Sequence, residues 1–458
     1  MRTPRQVAAI AAIAIAAIGL TACTSSAGAG TSDADAAAMT GTIPELTDDQ
    51  KVDIVFESYN LAQAGIWSET ITQLIDEFEE QHPNIHVTAQ PTQGGGAAGT
   101  NTVGSVQTQM LAGTAPDVAQ LTFDSLDYTV NKLGAQPVEK LVGTQAVEDN
   151  FAGDHPFHPK AAVLADWDGV TYGLPYVFST PVLWYNATAL EDAGITDPDF
   201  STWDSLAEVA TTLTEKTGKP ALTVSCAVAG GSWCMQGIVG SNGGAVLSDD
   251  RSTIEFGEEP AVGAVQMLRD LFDEGVLANV DAAGQMESFA RGDSLIQLQT
   301  SVMQSTYMAA AETGGWELKN TTMPAFEGKP VVPTNSGSAL FMFSQDAAKQ
   351  RASWEFMKWM TSDRAYEVIT TGIGYLPLRT SLTEGDGALA DWAASNPLVT
   401  PNLAQLDDLQ PWVSYPGDDY VQVDTILAQA IEDSVFYGKD PAATMADAQE
   451  RAQALISE

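Results

Sequence analysis

Residues 51–90 read KVDIVFESYNLAQAGIWSETITQLIDEFEEQHPNIHVTAQ, and two periodicities within them decide the fold. In KVDIVFES, Val52, Ile54 and Phe56 alternate to one side, the period of a strand. In IWSETITQLIDEFEEQHP, Trp67, Ile71, Leu74, Ile75 and Phe78 share one helical face, and Pro83 stops the helix. NIHVTAQ is a second strand. A strand, a helix and a strand at this spacing form a βαβ unit with a parallel sheet.

The same pattern continues downstream. A helix over roughly Val103–Ala112 leads into GTAPDVAQLTFDS, where Pro116 breaks the helix and Val118–Leu121 reads as a short buried strand. The fold class is α/β. Ligands of open parallel sheets collect beyond the carboxyl ends of the strands, which places Asn60, Gln93, Phe123 and Asp124 along one side of a cleft.

With 458 residues, 44% of them hydrophobic, the chain exceeds one compact core, and two domains are expected. Proline and glycine are spread too evenly to mark a single linker, as when a boundary crosses the chain more than once. Sixty acidic against twenty basic residues give a formal charge of −40, which excludes a nucleic-acid function. The acids are scattered, the pattern of a solvated surface.

The N-terminus carries Arg2 and Arg5, then an apolar run from Val7 to Ile18 that closes on small residues, the layout of a secretory signal. The run falls short of the roughly 20 residues that span a bilayer. Leu20-Thr21-Ala22-Cys23 resembles the lipobox of bacterial lipoproteins, so residues 1–22 are expected to be a signal peptide and Cys23 to be lipidated. Residues 23–49, small and polar, read as a flexible linker with a reach of roughly 25–30 Å. An exported, lipid-anchored chain at the outer face of the cell membrane follows. Of the three cysteines, Cys226 and Cys234 remain as an even pair and are expected to form a disulfide.

Several motifs point nowhere further. Gly94–Gly99, GGGAAG, matches G-x-G-x-x-G formally, but Pro91 interrupts the strand-to-helix turn, and the stretch reads as a glycine loop at the cleft edge. The histidines of HPNIH and HPFH, including His155 and His158, lack the spacing of a metal site. Asp166 and Asp168 in DWDG share a strand face as a glycosidase pair does, yet sixty acids make such a coincidence common. No H-E-x-x-H or G-x-S-x-G is present. No enzyme activity, cofactor or metal is expected.

From Tyr172 onward the chain resembles the extracellular solute-binding lipoproteins of ATP-driven importers for sugars and glycerol derivatives. YGLPYVFSTPVLWYN is followed by TWDSLAEVATTL, then by FARGDSLIQLQTSVMQ, where Leu295 and Ile296 replace the family's Ala-Met. MPAFEGKPVVPTNSGSALFMF, ASWEFMKWMTS and GIGYLPLR follow in the family's order. The resemblance implies a two-lobed, periplasmic-binding-protein-like (Venus flytrap) fold with discontinuous lobes, expected at 50–164 with 297–345 and at 165–296 with 346–458. It also implies permease subunits as partners, and a monomer is expected.

The branch that binds glycerol-3-phosphate and glycerophosphodiesters is the most similar. Its ligand serine falls on Ser179, its stacking tryptophan on Trp233, and its serine after F-x-x-G on Ser301. Its glycine falls on Gly337, its tyrosine on Tyr375, and its acidic residue on Phe123 or Asp124. Trp233 is alternatively a cover for the disulfide, and Gly337 a turn. Where that branch has a phosphate-binding arginine, this chain reads PWVSYPGDDY, with Gly417 at the position. A neutral mono- or oligosaccharide is therefore the expected ligand, with a glycerophosphodiester as the alternative; a glycan-active enzyme and an adhesive lipoprotein are the readings from other classes.

Overall fold

The computed structural model describes residues 39–47, 49–93 and 100–456. Cys23, the signal peptide, most of the linker and the Gly94–Gly99 loop lie outside the described residues. No described helix is long and apolar enough to cross a membrane.

Both periodicities of residues 51–90 are realised. Strand Val52–Ser58 buries Val52, Ile54 and Phe56, and helix Ile66–Gln81 buries Ile71, Leu74, Ile75 and Phe78 against it. The helix ends where the His82 amide donates to the Phe78 carbonyl, just before Pro83. Phe356 meets Phe56 and Phe78 edge-on, at ring distances of 5.0 and 5.2 Å, and locks the helical layer to the sheet.

Five strands form the first sheet, in the order Ile85–Pro91, Val52–Ser58, Val118–Thr122, Ser336–Met342, Gly173–Ser179. The first three run parallel, and Ser336–Met342 lies antiparallel to both its neighbours. A second sheet has the order Leu318–Thr322, Pro181–Asn186, Ile296–Thr300, Leu222–Val224. Each sheet carries its own core: Phe56, Phe78, Trp354 and Phe356 in one, Leu206, Val224, Ile238, Leu268 and Ile431 in the other.

The lobe limits expected from the sequence are corrected at three points. Strand Gly173–Ser179, expected in the second lobe, belongs to the first sheet; strands Ile296–Thr300 and Leu318–Thr322, expected largely in the first, belong to the second. Helices Ala347–Met360 and Asp363–Gly372 pack on the first lobe, whereas Thr400–Ala404, Tyr420–Val435 and Pro441–Ile456 pack with the second. The reason is that GLPYVFSTPVLWYN is one almost unbroken apolar run. Its strands are buried on both faces, so no change of period marks the crossing, and Ser179-Thr180-Pro181 is a break too short to read as a change of sheet.

The expected disulfide joins Cys226 and Cys234, eight residues apart, with a Cα–Cα distance of 5.2 Å. It ties the turn after strand Leu222–Val224 to helix Ser232–Ser241.

Gly337 fixes how two first-sheet strands meet. Its φ is +125°, and a Cβ there would run into the Val177 carbonyl of the adjacent strand. Gly337→Ala should therefore destabilise the protein by roughly 2–4 kcal/mol. Thermal unfolding of wild type and variant checks this; a change within experimental error would mean that the two strands separate freely.

Candidate ligand-binding site

The carboxyl ends of the parallel strands and the start of Ser336–Met342 meet at one edge of the first sheet. There a small network forms from residues that consecutive strands deliver side by side. Ser58 Oγ donates to Gln120 Oε1, Gln120 Nε2 donates to Ser338 Oγ at 2.9 Å, and Tyr59 Oη donates to the same Ser338 oxygen at 3.0 Å. The Asn60 amide donates to Ser58 Oγ at 3.0 Å. Asn60 itself is fully buried, and neither its Oδ1 nor its Nδ2 has a hydrogen-bond partner. Tyr375 packs behind Tyr59 and is met edge-on by Trp67 at 5.6 Å; burial pushes both phenols up.

One strand along, Val118–Thr122 ends in a tight turn, Phe123–Ser125. Phe123 is buried in the first lobe. Asp124 Oδ1 is enclosed without a partner, and burial pushes this carboxyl up to about 7, helped by the nearby Asp424 and opposed by Thr122.

The second lobe faces this turn with helix Ser232–Ser241, helix Tyr420–Val435 and the segment before the latter. Burial also raises Asp424, against a hydrogen bond with Ser232, the residue before Trp233. Tyr415 is 2% exposed, and its hydroxyl lies close to Gln236 without completing a hydrogen bond. Gln236 Oε1 accepts from the Val413 amide at 2.9 Å, while its Nε2 is unpartnered. Trp412 Nε1 is unpartnered as well.

Next to this cluster a groove of about 550 Å³ opens between the lobes, walled by Phe123, Trp167, Leu247, Arg251, Trp412 and Ser414. Two other cavities, about 710 and 700 Å³, are larger. Each is lined by a single lobe and its nearby helices, so neither responds to a change in the distance between lobes. The arginines of the larger one are already engaged: Arg364 with Glu77 and Glu367, Arg379 with backbone carbonyls. The interlobe groove is the better candidate.

Arg251 is the basic residue in the groove wall. It has a φ of 61°, pairs with Asp127 of the first lobe at 3.1 Å, donates to the Ser414 carbonyl at 2.7 Å, and lies 4.7 Å from the centre of the Trp167 ring. The same Asp127 accepts from the Gly417 amide at 3.3 Å.

Of the residues singled out from the sequence, Asn60, Phe123 and Asp124 lie at this edge, and Trp233 starts the helix opposite. Ser179 and Ser301 are occupied by the crossing itself: Thr300 Oγ1 donates to Ser179 Oγ at 2.7 Å, and the Thr180 amide donates to Ser301 Oγ at 3.2 Å. Gly337 is held against Val177, and Tyr375 stands behind Tyr59. Gln93 is exposed at the sheet edge. Asp166 and Asp168 flank Trp167 on a hairpin in the groove wall, His155 pairs with Asp363, and His158 with Asp407. Sequence reading missed Tyr59, Gln236, Arg251, Trp412, Tyr415 and Asp424. Asp424 had a signal: it lies among Tyr420, Val423 and Leu427 on the buried side of an otherwise apolar helix face.

A sequence profile of the family described as bacterial extracellular solute-binding protein matches residues 64–367. An uncharacterised ABC transporter extracellular-binding protein of Pyrococcus horikoshii is 30% identical over 164 residues, 35% of this chain and 34% of the relative's length. Among solved structures, the cyclic α-maltosyl-1,6-maltose binding protein of Arthrobacter globiformis superposes with a TM-score of 0.74 at 18% identity, over 89% of this chain and 99% of that one. UgpB of Mycobacterium tuberculosis, in complex with glycerophosphocholine, gives 0.75 at 19% identity, over 88% and 98%. The sugar-binding protein MalE of Xanthomonas citri gives 0.72 at 18%, over 88% and 97%. At these identities the likeness is one of fold.

The Asp124 carboxyl gives a prediction with a definite sign. Its value in the folded chain, about 7, lies above the roughly 4 of an unfolded aspartate, so its stabilising contribution is complete below about pH 4 and is lost as pH rises through 7. Asp124→Asn removes that loss. Unfolding midpoints from pH 5 to 8.5 should show the variant gaining on wild type as pH rises; a constant offset would mean that the carboxylate is solvated or paired.

Proposed function

The chain belongs to the bacterial extracellular solute-binding proteins, and from that premise we propose that it captures a carbohydrate between its two lobes and delivers it to a membrane permease, tethered outside the cell by lipid on Cys23. The observation that carries the carbohydrate reading is the set of buried, unpartnered polar atoms drawn from distant parts of the chain: Asn60 Oδ1 and Nδ2, Asp124 Oδ1, Gln236 Nε2, Trp412 Nε1 and Tyr415 Oη. An unmet buried polar group costs about 1–3 kcal/mol, so such atoms on both walls of the cleft suit a partner rich in both donors and acceptors. Sugar hydroxyls are both. The indole of Trp412 in the groove wall supplies a flat apolar face for a sugar ring.

Binding in such a cleft draws the lobes together because the ligand gains contacts from both sides only when they approach. A glycerophosphodiester is the second reading, favoured by Arg251: breaking its pair with Asp127 frees a guanidinium for a phosphate.

Calorimetry of the purified exported protein against glucose, maltose, longer glucans, glycerol-3-phosphate and glycerophosphocholine separates the two. Saturable binding of a sugar, with contraction of the particle in X-ray scattering, supports the first reading; binding of the phosphates alone supports the second. For the sugar that binds best, Trp412→Ala should weaken affinity by about five- to a hundredfold, the 1–3 kcal/mol of a lost stacking face, with a smaller change in unfolding midpoint. Unchanged affinity would remove Trp412 from the site.

A further inference from the structure

Arg251 sits in a tight turn of the second lobe. Leu247 and Ile254 pair antiparallel at its base, both within the second lobe's core, and the Ser248 amide donates to the Thr253 carbonyl at 2.9 Å. Inside the turn Asp250 Oδ1 accepts from the Ser252 amide at 3.1 Å and from the hydroxyls of Ser248 and Ser252, each at 2.7 Å. So many bonds to one carboxylate fix the turn, and with it the left-handed φ of 61° at Arg251, uncommon for a long side chain. Backbone strain of this kind clusters where ligands bind.

The guanidinium reaches across to the first lobe. Nη2 directs one hydrogen to Asp127 Oδ2 at 3.1 Å and the other to the Ser414 carbonyl at 2.7 Å. Asp127 is set in turn by Ser414 Oγ, which accepts from its amide at 2.9 Å, and by the Gly417 amide at 3.3 Å. The guanidinium carbon lies 4.7 Å from the centre of the Trp167 ring. Asp127 belongs to the first-lobe helix Leu126–Asn131, and Trp167 to the hairpin that packs on that helix. Arg251 forms part of the groove wall, yet its Nε–H and both Nη1–H groups donate to nothing among the described residues.

We propose that Arg251 binds the solute directly, donating from Nε and Nη1 to oxygens of a saccharide, and that the first lobe aims it. Asp127 and Trp167 hold the guanidinium only while the lobes are together, so the donor takes its place on closure. A solute that uses this donor binds the closed arrangement better than the open one, which is the condition for a ligand to draw the lobes in. The inference rests on the solute-binding reading above and adds a specificity-determining residue to it. The charge of Arg251 is already balanced by Asp127, and the exposed carboxylates of Asp168 and Asp249 share the groove wall. Hydroxyls donate to those carboxylates while accepting from Arg251, whereas a phosphate is repelled by them. The arrangement therefore selects a neutral polyol over an anion.

Calorimetry on the whole exported protein tests this with glucose, maltose, maltotriose and glycerol-3-phosphate, the variants being measured with whichever of the sugars wild type binds most tightly. Arg251→Met should weaken that sugar about tenfold or more. Arg251→Lys should recover little, because lysine has neither a flat face for Trp167 nor five donors. Asp127 lies behind Arg251 and outside the groove wall, so Asp127→Asn should weaken binding several-fold through Arg251 alone. The double variant should then bind no worse than Arg251→Met. That non-additivity separates aiming from a structural role, since lost stability by itself leaves the affinity of folded molecules unchanged. Unfolding midpoints identify folded variants; if Arg251→Met does not fold, Arg251→Lys takes its place in the cycle. Unchanged affinity in the Arg251 variants, or losses that add, overturns the inference and leaves the carbohydrate reading in place. Wild-type binding of glycerol-3-phosphate alone, or of none of the four, overturns both.

Discussion

Thr180 is the residue on which the architecture turns. It is fully buried, and on either side of it the chain belongs to a different sheet: Gly173–Ser179 closes the first, Pro181–Asn186 lies inside the second. A single residue cannot span such a crossing without its polar groups being met elsewhere. The Thr180 amide donates to Ser301 Oγ, its carbonyl accepts from the Ser301 amide at 2.9 Å, and its hydroxyl donates to Asn402 Oδ1 at 3.1 Å and accepts from Gln405 Nε2 at 2.8 Å. Two segments that are remote in sequence thus converge on this one residue. The crossing is thus short and fully bonded, and a second set of contacts, Asp127 with Arg251, Ser414 and Gly417, ties the two lobes beside the cleft.

That division of labour explains why some serines are spent and some polar groups are not. Ser179 and Ser301 were expected from the family resemblance to meet the ligand, but their hydroxyls close the crossing. At the cleft the opposite holds. Asp127 and Asp124 lie on consecutive turns of one short stretch, and a chain with only twenty basic residues commits Arg251 to the first and nothing to the second. Leaving a buried carboxyl unpaired costs stability at neutral pH, and such cost is commonly concentrated at functional sites.

What the sequence disclosed follows the range of the interactions involved. The βαβ unit of residues 51–90 was legible because its strand and helix periods arise from local geometry, and the positions beyond the strand ends pointed to Asn60 and Asp124 for the same reason. The disulfide was legible from parity alone. The lobe limits were not, because strands buried on both faces carry no alternation, and Gly173–Asn186 hides a change of sheet inside one apolar run. The second wall of the cleft was also out of reach. Gln236, Arg251, Trp412, Tyr415 and Asp424 come from turns and helices far apart in the sequence, and only the lone acid within the apolar face of Tyr420–Val435 betrays this wall locally.

The Arg251–Asp127 pair adds a last step to this picture. Arg251 sits at a φ of 61°, an uncommon conformation for a side chain of its size, and its guanidinium bridges from a second-lobe turn to the first lobe while lying over Trp167. An interlobe contact of this kind stabilises the approach of the lobes whether or not a solute is present. The affinity for a solute is then the intrinsic contact energy scaled by how much of the population already has its lobes together. The latch thus raises the share of molecules whose lobes are already together before a solute arrives.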